Sequence, residues 1–188
     1  MAASSVSPTR RLAPARIDRI ARAGLTTAGP FIGIATISAV QAWEWLFSGL
    51  TKLQNASFVN GFLGFVSHAP GPYGGFMTGL ATRFPAILPR LVEATELALG
   101  LSLLAAAALV LVGTGRLRRL SILVAGATSL VGFVTASNIA VLAHNRPPWT
   151  IGMAPFTTGV PVESLLAAIS LAGVASAYSA WRIARSRS

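Results

Sequence analysis

The hydrophobic positions along the chain fall into four long runs, at 29–53, 91–113, 120–143 and 160–181. A hydrocarbon core of about 30 Å needs roughly 20 helical residues, so each run predicts a membrane-crossing helix. Between the first two runs, SFVNGFLGFV places Phe58, Phe62, Phe65 and Val66 at i, i+4, i+7 and i+8. That spacing predicts a short helix with one aromatic face lying at the membrane interface. The turn formers of HAPGPYGG then break it. The connection over 54–90 is long and rich in Gly, Pro and Phe, and the later one, HNRPPWTIGMAPFTTG, is also Pro-rich and aromatic. Connections of this kind read as lids over one end of the bundle rather than as slack tethers. The predicted architecture is all-α: a four-transmembrane-helix bundle whose extracytoplasmic loops carry short interfacial helices.

Composition sharpens that picture. Over 188 residues, 53% of side chains are hydrophobic and only 11% are charged, too apolar for an ordinary soluble domain. The absence of cysteine excludes disulfides, thiolate chemistry and cysteine-ligated iron–sulfur clusters. A net charge of +10 raises the question of nucleic acid, but the basic residues form no stripe interleaved with aromatics. They cluster between the apolar runs, as membrane topology requires, so no nucleic-acid partner is expected.

The arginines set the orientation. Arg10, Arg11, Arg16, Arg19 and Arg22 precede the first span, Arg116, Arg118 and Arg119 join the second to the third, and Arg182, Arg185 and Arg187 follow the fourth. If the spans alternate, all of these lie on one side, against Arg83, Arg90 and Arg146 on the other, with Lys52 at its border. The positive-inside rule then places both termini in the cytoplasm of a bacterial-type inner membrane. The chain divides into a basic cytoplasmic tail over 1–28, a transmembrane domain over 29–181 and a basic tail over 182–188. The twin arginine of TRRLAP could head an export signal, but the apolar run is longer than the 7–15 residues of a signal core, roughly, and lacks a cleavage site. It reads as a retained anchor. RLAPARIDRIARAGL reads either as a short helix on an anionic leaflet or as a disordered basic tail.

The costly residues come next. Four of the five acidic residues lie within the spans: Glu44, Glu93, Glu96 and Glu163. An ionised group at a helix centre costs about 2.5–3.5 kcal/mol, so such groups are expected to turn inward and pair. With the spans alternating, Glu93, Glu96 and Glu163 lie in the outer half, Glu44 lies deeper, and His144 ends the third span at the outer face. Gln41, Glu44, Ser48, Thr51 and Lys52 follow one helical stripe, and Thr135 and Asn138 share a face. A bundle burying these faces would hold a polar chamber open toward the outside. The plainer reading of Glu93, Glu96 and Glu163 is that of carboxylates favoured by helix N-termini at headgroup level. Gly126, Ala127 and Gly132 have the spacing of helix packing. His68 and His144 as a haem pair are disfavoured because one lies in a loop. No catalytic triad, phosphate loop or zinc spacing is present, and no metal is expected.

The stretch WEWLFSGLTKL with Phe58, then PGPY, LVEATELALGLSLL and the arginine turn GRLRRL resembles the DoxX-like superfamily of four-helix membrane proteins, with the closer likeness to the DoxD family. The likeness covers residues 40–120 well and the last two spans in outline. The family's G-x-x-K-L element falls on Gly49, Lys52 and Leu53, and its early acidic residue of the second helix on Glu96. Many relatives carry an arginine at the start of the first span, whereas this chain has Glu44 deeper instead. The resemblance implies a membrane subunit of a quinone-linked oxidoreductase of thiosulfate:quinone type, with quinone as substrate or bound ligand. On that scheme Glu44 or Glu96 relays protons to a reduced quinone whose ring rests on Trp43 or Trp45. Lys52, Arg83, Arg90 and His144 attract an oxyanion, with Glu93, Asn138 and Glu163 completing the site. No residue is an evident electron carrier, so a partner subunit or direct transfer is required. The alternative is a non-catalytic membrane subunit that anchors or stabilises a larger complex. A transporter would need carboxylates through both halves, and the cytoplasmic half of the spans has none. The expected partners are membrane lipid and a second protein subunit or another copy of the chain.

Overall fold

The computed structural model describes residues 14–69, 71–144 and 162–186, the side chains of 14–27 and of His144 excepted. Six helices form, in the order α1 (Pro14–Gln54), α2 (Phe58–Ser67), α3 (Gly71–Arg83), α4 (Ile87–Val112), α5 (Gly115–His144) and α6 (Val162–Arg185), with no strand among the described residues.

Three of them, α4, α5 and α6, are long and apolar enough to cross a membrane. Only 39%, 33% and 33% of their most apolar windows is buried inside the protein. The remaining surface carries Leu101, Leu104, Leu111, Leu123, Leu130 and Leu171 in exposed positions, which an apolar solvent would cover. Helix α1 is longer, but Gln41, Glu44 and Lys52 interrupt its apolar run.

The four long helices pack in a ring, α1 against α4, α4 against α5, α5 against α6 and α6 back against α1. Neighbours run antiparallel. A Cβ on Gly49 would meet Leu97 and one on Gly100 would meet Leu46, so α1 and α4 pair with falling against rising residue numbers. Gly126 faces Ala177, Ser129 faces Gly173 and Gly132 faces Ser170, which sets α6 antiparallel to α5; on α1, Phe31 clusters with Ala180 and Trp45 with Leu166, the same sense. Two apolar clusters fill the ring. One joins Phe31, Ile34, Val110, Ile122 and Ala180, and the other joins Trp45, Leu99, Leu103, Ala136 and Leu166. The α4–α5 connection is tight because Gly115 adopts φ +51, a left-handed conformation that side chains with a Cβ resist.

Helix α1 starts at Pro14, well before the apolar run, so the arginine-rich RIDRIARAGL segment is continuous with the bundle helix instead of a separate element. Pro30 sits inside it and leaves the carbonyl four residues earlier without an amide donor. The predicted interfacial helix is α2, with Phe62 and Val66 buried and Phe65 exposed. GPYGG, expected to be a break, instead opens α3. Gly71 at φ +81 makes the turn, and Thr78 Oγ1 ties the new helix back to the Val66 carbonyl at 3.1 Å. Together α2 and α3 lean on α4 and, through α2, on α5, around Phe62, Val66, Ala81 and Leu142.

Candidate functional site

The end of α1 meets the second turn onward of α4 at a charged contact. Lys52 Nζ donates to Glu96 Oε1 at 2.8 Å and Oε2 at 2.7 Å, and to Ser48 Oγ at 2.6 Å. An ammonium has three N–H groups, and these three acceptors use them all. Glu96 is fully buried, whereas the Lys52 side chain keeps 25% of its surface. The Phe58 ring, at the start of α2, has its centroid 5.9 Å from Lys52 Nζ. The helices come close enough for this bond because Gly49 and Gly100 bring the α1 and α4 backbones together. One turn earlier on α4, Glu93 is only 3% exposed and its Oε2 accepts from Arg90 Nη1 at 2.7 Å, while its Oε1 has no partner among the described residues.

Both carboxylates of the EATE segment thus face into the bundle, each with a cation that reaches toward solvent. Such pairing is what lets an ionised group survive in an apolar interface. Chemically, the arrangement offers an ammonium donor and a buried carboxylate next to an aromatic ring.

The remaining residues singled out from the sequence are distributed around this contact. Asn138 Oδ1 accepts from the Tyr73 hydroxyl at 2.7 Å, linking α5 to α3. Burial pushes the Tyr73 phenol above its ordinary 10.0. Trp45 is buried among α1, α5 and α6, whereas Trp43 is exposed and stacks on Phe47 with centroids 6.3 Å apart. The two tryptophans that flank Glu44 therefore point to different surroundings. Glu44 is half-buried, with no ion-pair partner among the described residues. Glu163 is half-buried in the first turn of α6, and Arg83 is exposed over the Phe84 ring at 5.6 Å. The side chain of His144 lies outside the described residues. No group of three or more metal-ligating side chains occurs among those described.

The stripe expected on α1 divides between two neighbours. Ser48 and Lys52 serve α4, but Gln41 is buried and its Nε2 donates to Ser129 Oγ of α5 at 3.2 Å. Around it lies a polar layer that the sequence pattern does not single out, formed by Ser38, Ser129 and Ser170, all fully buried. Gln41 Oε1, Trp45 Nε1, Ser38 Oγ and Ser170 Oγ have no partner there. The available signal was Gly132 and Gly173, each three residues after Ser129 and Ser170, whose missing Cβ makes room for Trp45 and Gln41.

Set beside known proteins, the chain matches no protein-family model, no curated protein and no solved structure.

Proposed function

We propose that all four long helices cross a bilayer with both termini on the cytoplasmic side, and that the chain is the membrane subunit of a quinone-linked oxidoreductase of the DoxX-like, thiosulfate:quinone type. The observation that carries this reading is the buried Glu96 carboxylate, held by Lys52 beneath the Phe58 ring. An intramembrane ion pair is expensive to assemble and is weak evidence for stability alone, which favours a chemical use. Reduction of a quinone takes two electrons and two protons. A quinone carbonyl taking the place of Ser48 Oγ would accept from the Lys52 ammonium, which is suited to give it a proton; the Glu96 carboxylate is suited to take up protons from water and pass them on, and the Phe58 ring to lie against the quinone ring. Two electrons come from oxidative coupling of two thiosulfate ions through a new S–S bond, by way of a partner subunit, since this chain supplies no cysteine.

The test uses purified protein with any co-purifying subunit, a short-chain quinone analogue and thiosulfate. Glu96→Gln is expected to lower quinone reduction about a hundredfold, the size of a lost acid–base group, while the protein stays folded. Unchanged turnover would remove Glu96 from the mechanism. One observation favours the alternative of a non-catalytic anchoring subunit: all three Lys52 donors are already used internally, as in a structural strut. That reading predicts co-purification with a larger assembly and no lipophilic quinone in the extract, identified by mass.

A further inference from the structure

One carboxylate of the bundle takes no part in the Lys52–Glu96 contact. Glu44 lies eight residues before Lys52 on α1, about 12 Å deeper at 1.5 Å per residue. Leu46 packs against Gly100 near the middle of α4, so Glu44 sits level with the centre of that span. Its helical phase puts it between the buried Gln41 and the exposed Phe47, and it has neither a hydrogen bond nor an ion pair among the described residues. Lys52 is the only lysine or arginine within the four apolar runs, and its three donors are taken. On the face beside Glu44, Val40, Trp43, Phe47 and Leu50 are exposed and follow i, i+3, i+7 and i+10, the spacing of a seam between paired helices. Trp43 is 68% exposed, and its ring stacks on that of Phe47 with 17° between the planes. Lipid alone is a poor cover at this depth. An intramembrane carboxylate is usually turned inward and paired, and tryptophan settles at headgroup level rather than at mid-bilayer.

We propose that this face of α1 docks a transmembrane helix of another protein, one that carries a lysine or arginine inside its own apolar run to pair with Glu44. The interface rests on α1 crossing the bilayer, as proposed above, and not on the quinone chemistry. Charge selects this occupant over a second copy. A second copy in the same orientation brings no lysine or arginine to the depth of Glu44 on any of its four spans, and an α1–α1 pairing would set carboxylate against carboxylate. A basic helix supplies what is missing on both sides. Each charge is costly alone in the apolar layer, and pairing them lowers the cost of both while rejecting helices that lack the cation. Trp43 and Phe47 give the aromatic anchor on which such an interface centres, and they exclude water from the ion pair beside them.

To test this, Phe47 of the full chain is replaced by the photoreactive residue benzoylphenylalanine, membranes of the native cells are irradiated, and the cross-linked peptide is sequenced by mass spectrometry. The expected product is a peptide of another protein with a lysine or arginine inside an apolar stretch of about 20 residues. Glu44→Gln in the same chain should lower its yield on the order of tenfold, as expected when one partner of a buried charge pair is removed. Where Glu44→Gln does not fold, replacing the partner's basic residue by leucine against the unaltered chain reads the same loss. A product from a second copy of this chain, from lipid alone or from a helix without a basic residue would overturn the interface, as would a yield that neither substitution lowers. The interface and the oxidoreductase fail separately. Capture of a basic helix by a chain that reduces no quinone refutes the oxidoreductase alone, and quinone reduction without capture refutes the interface alone.

Discussion

Substituting either partner of the Lys52–Glu96 contact should have unequal effects, because the two side chains are unequally buried. Glu96 is 0% exposed and Lys52 is 25% exposed. Lys52→Met leaves a carboxylate with no cation in a dry interface, a loss of about 3–5 kcal/mol for a broken buried pair. Glu96→Gln leaves an ammonium that still bonds Ser48 and the amide oxygen and can lean toward water along its exposed quarter, so about 1 kcal/mol is expected, the net worth of a hydrogen bond. Replacing both with apolar residues, Lys52→Met/Glu96→Leu, should return to within about 1–2 kcal/mol of wild type. Taking 2–4 °C per kcal/mol for a chain of this size, Lys52→Met should lower the melting temperature by roughly 6–20 °C and Glu96→Gln by about 2–4 °C. Thermal melts in detergent micelles, followed by size-exclusion chromatography of the folded fraction, read these shifts. Equal losses in the two single variants, or a double variant whose loss is their sum, would refute the reasoning.

The glycines make opposite predictions along one bundle. A Cβ at Gly33 meets nothing, so Gly33→Ala should stabilise α1 by up to about 1 kcal/mol, whereas a Cβ at Gly100 would stand 2.9 Å from the Leu46 amide nitrogen and Gly100→Ala should cost about 1–3 kcal/mol. Both are read as melting shifts of opposite sign. Trp45→Phe deletes an indole N–H that has no acceptor, so it should cost much less than the about 3–5 kcal/mol of Trp45→Ala. Comparable losses in the two would show that the indole nitrogen is engaged. Tyr73 is a group whose pKa is higher in the folded chain than the unfolded value of 10.0, because burial disfavours the phenolate. Its stabilising contribution is therefore fully present below pH 10.0 and is lost as pH rises through the higher folded value. Tyr73→Phe should flatten that alkaline decline in melts collected across the range, at a cost of about 1 kcal/mol near neutrality from the lost Asn138 bond.

The long helices and α2 were legible because periodicity and apolar length are summed over many residues. Helix α3 was not. Gly71, Pro72, Gly74 and Gly75 read locally as a break, yet Tyr73 and Met77 pack beside Phe62 and Leu142, and that contact overrides the weak propensity. For the site, Lys52 and Glu96 were both evident as costly residues on the right helices, but their pairing depends on the closeness of α1 and α4 at Gly49 and Gly100, a property of two backbones at once. Glu44 shows the limit of arguing from depth alone. Its helical phase places it between the buried Gln41 and the exposed Phe47, and no count of neighbours in sequence tells which side an edge residue takes. The serine layer was missed for a related reason, since Ser38, Ser129 and Ser170 are ordinary in composition and become costly only when helices from three parts of the chain meet.

Helix α1 runs 41 residues, about 60 Å at 1.5 Å per residue and roughly twice the thickness of a hydrocarbon layer. Its interior proline, Pro30, lies near the middle of that length, one residue before Phe31, which packs with Val110 and Ile122. Bending compliance in a rod concentrates where a rung is absent. Pro30 is therefore the rung at which the longest helix of the bundle yields first to bending.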